Sequence, residues 1–299
     1  MASLIRGPSV PWNFLGLPPE QADVERAYFV VVPVPYDSTT SYKAGAREGP
    51  SALIAASRSL EDYDPALGWE PCSLGIATLP EVEPHVGDPA ATIERVAETV
   101  DALVGKGKMP VLLGGEHSIT LGGVQGALRH YPHLSVLYLD AHADLRDTYM
   151  GTPYSHACTA RRIAEVARVV EVGVRSMSAE EARFARAQGI PLFPWTPTFR
   201  AQDALAWVLP RLGPDVYISV DLDVLDPAVM PAVGTPEPGG LSWGDLLVLL
   251  EGVARARRIV AFDVVELCPR EGPAACAVVA AALVYKLMGL VALRYTPGR

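Results

Sequence analysis

The sequence is poor in cysteine, in lysine and in clustered positive charge. Its four cysteines show no CxxC spacing and are too few for a disulfide framework, so we expect free thiols in a reducing cytoplasm. They are Cys72, Cys158, Cys268 and Cys276. The net charge is −9 and no cluster of Lys and Arg occurs, which argues against a nucleic-acid-binding surface. An acidic balance is compatible with a cationic substrate.

The sequence also offers little that would cross or enter a membrane. The first eight residues (MASLIRGP) lack the apolar core of a signal peptide. Residues 274–290 are strongly apolar, but they are fewer than the roughly 20 residues of a membrane span and they include Lys286. We therefore expect a buried helix packed on a sheet, and a protein with no membrane partner.

What the chain does contain is an alternation of short aliphatic runs with helical stretches. The runs read as strands buried on both faces, and they lie at 28–32, 109–113, 134–139, 169–173, 216–220 and 259–265. Apolar residues at helical spacing predict helices between them, including 51–59 and 91–105. The pattern predicts an α/β fold with a mostly parallel sheet between helices, as a single domain over 1–299 with an N-terminal arm at 1–25.

A polar cluster follows the strand predicted at 134–139. Asp140, His142 and Asp144 alternate with small or apolar residues, so a locally extended chain would place all three side chains on one side. Ligands of parallel sheets bind beyond the carboxyl ends of the strands. Two buried carboxylates and an imidazole need compensation for their burial, and a divalent cation would provide it.

Other predicted strands also end in polar residues. Taken singly each has an ordinary explanation, such as a helix cap, and Cys158 near His156 is better explained as an inert buried thiol than as a nucleophile. Taken together they indicate a metal site formed by His117, Asp140, His142, Asp144, Asp221 and Asp223, with Glu266 at a further strand end and His156 in a nearby loop. Four aspartates and two histidines form an oxygen-rich set that favours Mn²⁺ over Zn²⁺ and suffices for two metals.

Several motifs resemble those of the ureohydrolases, the arginase and agmatinase family. The three metal signatures are 114–118 (GGEHS), 140–144 (DAHAD) and 219–227 (SVDLDVLDP); further similarity lies at 45–50 (GAREGP), 234–241 (GTPEPGGL) and 263–266 (DVVE). The resemblance covers the chain from about residue 28 onward. It implies a three-layer α/β/α fold of the arginase type, two Mn²⁺ ions per subunit, and a homotrimer or homohexamer.

The resemblance also implies roles for individual residues. His117 and Asp144 would bind one Mn²⁺, His142 and Asp223 would bind the other, and Asp140 and Asp221 would bridge them. Glu266 would hold the substrate guanidinium, Asp144 would relay a proton to the leaving amine, and His156 would act as the proton shuttle.

The substrate is expected to be agmatine, cleaved to putrescine and urea, which places the enzyme in polyamine biosynthesis. Arginases usually carry Asn two residues after the last Asp of the second signature, whereas this chain has Arg146. The sequence around His156 and the 235–238 run (TPEP) resemble agmatinases. Arg146 could instead pair with an acid, so guanidinobutyrate, aminopropylagmatine and arginine remain alternatives.

Two other classes of protein could use similar residues. A two-metal phosphoesterase would need additional Arg, Lys or Asn directed at phosphate, whereas these motifs contain Glu237 and Glu266. A non-catalytic relative would be indicated by a missing ligand, and none is missing.

Overall fold

All eight strands that the structure describes form one parallel sheet. The structure is a computed structural model that describes residues 9–293, so the first eight residues of the predicted arm lie outside the described residues. The strands are β1 (Phe29–Val34), β2 (Ile76–Thr78), β3 (Met109–Gly114), β4 (Ser135–Leu139), β5 (Arg168–Val174), β6 (Leu192–Pro194), β7 (Asp215–Asp221) and β8 (Arg258–Val265). Their order is β2-β1-β3-β8-β7-β4-β5-β6. The predicted parallel α/β sheet is confirmed.

Within the described part of the chain, eight α-helices connect and cover the strands. They are α1 (Gly49–Ser57), α2 (Pro89–Gly105), α3 (Ile119–Leu128), α4 (Thr159–Ala164), α5 (Ala179–Gln188), α6 (Ala201–Val208), α7 (Trp243–Ala256) and α8 (Ala275–Ala292). α2 begins after Asp88, whose carboxylate accepts the N–H of Ala91, and it has Pro89 at its first position, where no N–H is needed.

The helices divide into two layers, one on each face of the sheet. One apolar cluster joins α1, α6, α7 and α8 to strand side chains such as Val31, Ile218 and Phe262. A second cluster joins α2, α3, α4 and α5 to the opposite side chains of the same strands, such as Val32 and Tyr217. Because both faces are covered, the central strands are buried throughout, as expected from their near-continuous aliphatic composition.

The apolar segment near the C-terminus is a core helix. α8 has the length and composition of a membrane span, but about two thirds of it is buried against the rest of the protein. Lys286 on this helix pairs with the carboxylate of Asp64. All four cysteines are free and buried, whereas burial was predicted from the sequence for Cys158 alone.

Candidate metal centre and active site

The four strands that carry the predicted site residues lie side by side in the middle of the sheet. Their order is β3, β8, β7 and β4, and their carboxyl ends meet at one edge. His117 follows β3, Asp140 follows β4, Asp221 ends β7 and Glu266 follows β8. Parallel strands that end together bring together residues far apart in the chain.

A close backbone approach at the end of β3 fixes the first of these positions. Gly115 donates its N–H to Val34, and Glu116 donates its N–H to Tyr36. A Cβ on Gly115 would lie 1.9 Å from the carbonyl oxygen of Tyr36, so only glycine fits here. The turn therefore delivers His117 to the sheet edge beside β8.

Six of the predicted ligands converge, and five of them form two groups that share Asp140. The first group is His117, Asp140 and Asp221, and the second is Asp140, His142 and Asp223. In the first, the Nδ1 of His117 lies 3.0 Å from Asp140 and 3.2 Å from Asp221. In the second, the Nδ1 of His142 lies 3.0 Å from Asp223 and 3.5 Å from Asp140. The chain therefore builds two adjacent clusters of potential metal ligands.

The sixth predicted ligand, Asp144, reaches the site by a different backbone conformation from the one expected. Its φ of +50° is left-handed, so the extended geometry predicted for residues 140–144 is wrong at this residue. The conformation is held on both sides, because Leu145 donates its N–H to Glu181 and Arg161 donates its N–H to the carbonyl of Asp144. The Asp144 carboxylate lies 3.6 Å from the Nδ1 of His117 and accepts the Tyr138 hydroxyl at 2.8 Å.

Two buried atoms of the first cluster are left without a hydrogen-bond partner among the described residues. They are the Nδ1 of His117 and the Oδ2 of Asp140, which face each other. An orphaned buried polar atom is costly, and two of them in contact are what a ligand shell presents to a cation. Imidazole and carboxylate are both common ligands of divalent metals. The residues present therefore fit a metal at each cluster.

The charges of the site also favour bound cations. Burial raises the pKa of Asp144 and of Asp221 well above the usual range of an aspartate, and the charge of a neighbouring carboxylate raises it further. Burial also raises the pKa of Glu266 to about 8, with the charge of Glu116 adding to the effect. Divalent cations would keep such carboxylates ionised.

Glu266 lies beside the clusters in a strained conformation. Its φ is +67°, a region that residues other than glycine rarely adopt. One carboxylate oxygen accepts the backbone N–H of His117 at 2.8 Å, and the backbone N–H of Glu266 donates to Gly115 at 2.8 Å. The second oxygen makes no hydrogen bond within residues 9–293, and the side chain lines the same pocket as the clusters.

His156 also lines this pocket and belongs to neither cluster. It begins a single 3₁₀ turn that Ser155 caps, and its ring meets the Tyr149 ring edge-on with centroids 6.2 Å apart. Burial lowers its pKa to about 4, so the imidazole is neutral at physiological pH. A neutral imidazole in a pocket can accept and return a proton.

The pocket has a volume of about 310 Å³ and is lined by residues of both clusters. Besides these, its lining includes Ser41, Arg146, Tyr149 and Met177, here called the outer wall. The guanidinium of Arg146 lies over the ring of Tyr149, 4.9 Å from its centroid, and forms no ion pair in the part of the chain that the structure describes. The wall thus combines one free cation with apolar and hydroxyl groups.

One residue that supports the site was missed in the sequence. Arg175, just after β5, donates to the carbonyl of Asp223 at 2.7 Å and to the carbonyl of Glu237 at 2.8 Å. It thereby ties the loop after β7 to the 235–238 run. Its position after a strand end was the available signal, but an arginine that binds only carbonyls has no distinctive spacing.

Comparisons with known proteins agree with this geometry. Residues 27–289 match the model of the arginase family. An N(1)-aminopropylagmatine ureohydrolase of Thermus thermophilus is 40% identical over 284 residues, which cover 92% of this chain and 94% of that protein. An agmatinase of Bacillus subtilis is 34% identical over 82% of this chain and 85% of its own. The solved agmatine ureohydrolase of Thermoplasma volcanium has a TM-score of 0.86 at 32% identity, covering 95% of this chain and 96% of that one.

Proposed function

The chain belongs to the arginase family and is an agmatinase-like ureohydrolase, and on that basis we propose that its substrate is N(1)-aminopropylagmatine. Hydrolysis of that guanidino group releases urea and leaves spermidine. The observation that carries guanidine hydrolysis is the pair of His/Asp clusters sharing Asp140, with the buried carboxylate of Glu266 beside them. The choice among guanidino substrates rests on the relative named for aminopropylagmatine.

The choice of substrate differs from the one that the motifs favoured. Agmatine was the main expectation and aminopropylagmatine an alternative, but the relative named for aminopropylagmatine is 40% identical and the agmatinase is 34% identical. Both compounds end in the same guanidinobutyl group, so the inner site would treat them alike. They differ in an aminopropyl extension, which would lie against the outer wall of the pocket.

We assign two Mn²⁺ ions to the clusters. His117 and Asp144 would hold one ion, His142 and Asp223 the other, and Asp140 and Asp221 would bridge them. The predominance of carboxylate oxygens supports manganese. When bound, the two metals would make a water nucleophilic at neutral pH and would offset the negative charge of its oxygen.

The remaining chemistry falls to three side chains. The free oxygen of Glu266 would accept hydrogen bonds from the guanidinium and hold its carbon above the clusters, a charge-assisted contact. Asp144 would carry a proton to the nitrogen that leaves. His156, neutral at physiological pH, would exchange that proton with solvent through the open side of the pocket.

One observation favours a second candidate, a guanidino acid such as guanidinobutyrate. The unpaired guanidinium of Arg146 at the pocket wall is suited to a carboxylate. Its position over Tyr149 is equally compatible with a purely structural role, and the relatives named above favour an amine.

A panel of guanidino compounds tests the substrate proposal. Urea release with added Mn²⁺ would be measured on aminopropylagmatine, agmatine, guanidinobutyrate and arginine, with spermidine as the blank. We expect kcat/KM to be highest on aminopropylagmatine, by about tenfold over agmatine if one ordered contact to the extension is gained, and mass spectrometry should identify spermidine. A higher value on guanidinobutyrate would replace the proposal with the second candidate.

The assembly and location are further parts of the proposal. We propose a homotrimer or homohexamer, which light scattering on the Mn²⁺-loaded protein would measure. The four buried free cysteines support a reducing compartment such as the cytoplasm.

A further inference from the structure

One wall of the pocket is a loop whose two ends are tied together. Asp37, which is buried, accepts the N–H of Gly45 at 2.9 Å and the N–H of Arg47 at 3.3 Å, and its other oxygen pairs with the Arg47 side chain. Residues 38–44 therefore form a closed loop with a fixed base. The loop carries Ser41 into the lining of the pocket.

Thr39 in this loop is bound to a buried carboxylate of the strand edge. Its N–H donates to one oxygen of Glu116 at 2.7 Å, and its hydroxyl donates to the other at 2.5 Å. The hydroxyl of Ser118 donates to that second oxygen as well, at 2.6 Å. A hydroxyl has a single proton, so the Thr39 oxygen has only lone pairs left for other partners.

Those lone pairs face His156. The Thr39 oxygen accepts the backbone N–H of His156 at 3.0 Å and lies 3.4 Å from its Nδ1. An oxygen that offers only lone pairs attracts a protonated Nδ1 and repels an unprotonated one. The other ring nitrogen, Nε2, lies 3.2 Å from the Ser41 hydroxyl at the pocket wall.

We propose that Thr39, held by Glu116, is a positioning residue that keeps neutral His156 in the tautomer with the proton on Nδ1. Nε2 then carries the lone pair and is the atom that takes up a proton from the pocket. This inference rests on the proposed role of His156. It adds that the direction of transfer is set from a loop 117 residues away in the chain.

A second hydroxyl near Nδ1 makes the inference testable. Ser155 Oγ lies 3.3 Å from Nδ1 and accepts the N–H of Ala157, and within residues 9–293 its own proton has no other acceptor. Without the Thr39 hydroxyl, Ser155 can donate to Nδ1 and stabilise the opposite tautomer. Thr39 therefore favours the tautomer with the proton on Nδ1, and Ser155 favours the tautomer with the proton on Nε2. The hydroxyl proton of Thr39 is held by Glu116.

The test uses Thr39→Val, Thr39→Ser and the matched control Thr40→Val; among the described residues the Thr40 hydroxyl donates only to the carbonyl of Asp37. Histidine-selective ¹⁵N labelling reads the tautomer of His156 in protein loaded with diamagnetic Zn²⁺ in place of paramagnetic Mn²⁺, and the His156 signal is identified by its loss in His156→Asn. We expect the proton on Nδ1 in the wild type, in Thr39→Ser and in Thr40→Val, and a mixture or reversal in Thr39→Val. A wild type with the proton on Nε2 overturns the proposal.

Kinetics give the second measurement. Thr39→Val should lower kcat between about tenfold and 100-fold, as expected for impaired general acid–base catalysis, with KM and metal content near wild type; Thr39→Ser should restore kcat. An unchanged kcat, or loss of metal from Thr39→Val, overturns the proposal. If the wild type releases no urea from any compound of the panel, the proposed function fails, and the tautomer measurement still decides the position of the proton.

Discussion

The Nε2 of His117 lies 2.8 Å from the hydroxyl oxygen of Ser219. Ser219 donates its own proton to Asp263 at 2.7 Å, so its oxygen must accept a hydrogen bond from the Nε2–H of His117. His117 therefore has its proton on Nε2 and its lone pair on Nδ1, the atom that faces Asp140 and Asp221. A hydrogen-bonded carboxylate thus prepares the imidazole to bind a metal.

We therefore predict that Ser219→Ala weakens metal binding. Loss of a partner that orients a ligand typically lowers metal affinity by about 10- to 100-fold. We expect the lower half of that range, because the Thr120 hydroxyl lies 3.2 Å from that of Ser219 and belongs to the same hydrogen-bond network. Titration with Mn²⁺ by calorimetry would measure the change. The exposed Ser73→Ala is the control. Equal affinities in the two variants would remove the orienting role.

Asp140→Asn should cost both metals, because Asp140 alone belongs to both described clusters. Asp223→Asn removes a ligand from one cluster only and should leave about half of the metal bound. Elemental analysis after gel filtration would measure the metal bound per subunit. The control is Asp215→Asn, which removes the carboxylate of an exposed ion pair with Arg258. Two metals per subunit retained in Asp140→Asn would contradict a shared ligand.

The metal-site residues were recognisable in the sequence because each occupies a strand end or a short motif. An aliphatic run followed by Asp140 or by Asp221 predicts a buried strand with a carboxylate at its carboxyl end. Parallel pairing of β4 and β7 then brings these two carboxyl ends together. The family resemblance read from the same motifs is confirmed.

Other features depend on contacts that no local pattern records. β2 and β6 have three residues each, too few to show an alternation, and they were not predicted. The left-handed backbone at Asp144 is held by Glu181, 36 residues from the N–H that it binds. The contact of Thr39 with His156 is likewise set by the tertiary fold alone.

The ion pair between Asp64 and Lys286 should make stability depend on pH. Burial raises the pKa of Asp64, but the hydrogen bond from Lys286 and the N–H groups of Leu67 and Ala66 outweigh it, so the net pKa lies below the usual 3.8. A depressed pKa stabilises the folded state above the unfolded value, and the contribution is lost as pH falls through the folded value. The pair should therefore stabilise the protein at neutral pH and fail in acid.

Asp64→Asn should lower the free energy of unfolding at pH 7 by about 1.5–3 kcal/mol, the usual range for a hydrogen bond to a charged group. Urea denaturation from pH 7 to pH 3 would show the difference from wild type shrinking toward the acid end. The exposed ion pair of Glu251 and Arg255 on α7 gives a matched control. Glu251→Gln should change the free energy of unfolding by no more than about 0.5 kcal/mol. A difference that stays constant with pH would rule out the ion pair as its source.

Glu266→Gln should separate substrate binding from metal binding. The amide oxygen of Gln can still accept the N–H of His117, so the turn after β8 and both metals should be retained. The other position would carry an NH₂ group, which cannot accept a hydrogen bond from a guanidinium. Loss of one charge-assisted contact costs about 1.5–3 kcal/mol, so kcat/KM for the preferred guanidino compound should fall by about tenfold or more.

The matched control is Glu271→Gln. Glu271 lies five residues after Glu266, and its partly exposed carboxylate pairs with Lys43. Its kcat/KM and metal content should both match the wild type. Glu266→Gln with full metal and unchanged kcat/KM would exclude Glu266 from substrate binding. Loss of metal from the same variant would place Glu266 among the residues that support the metal centre, because the hydrogen bond to His117 would then be the contact that matters.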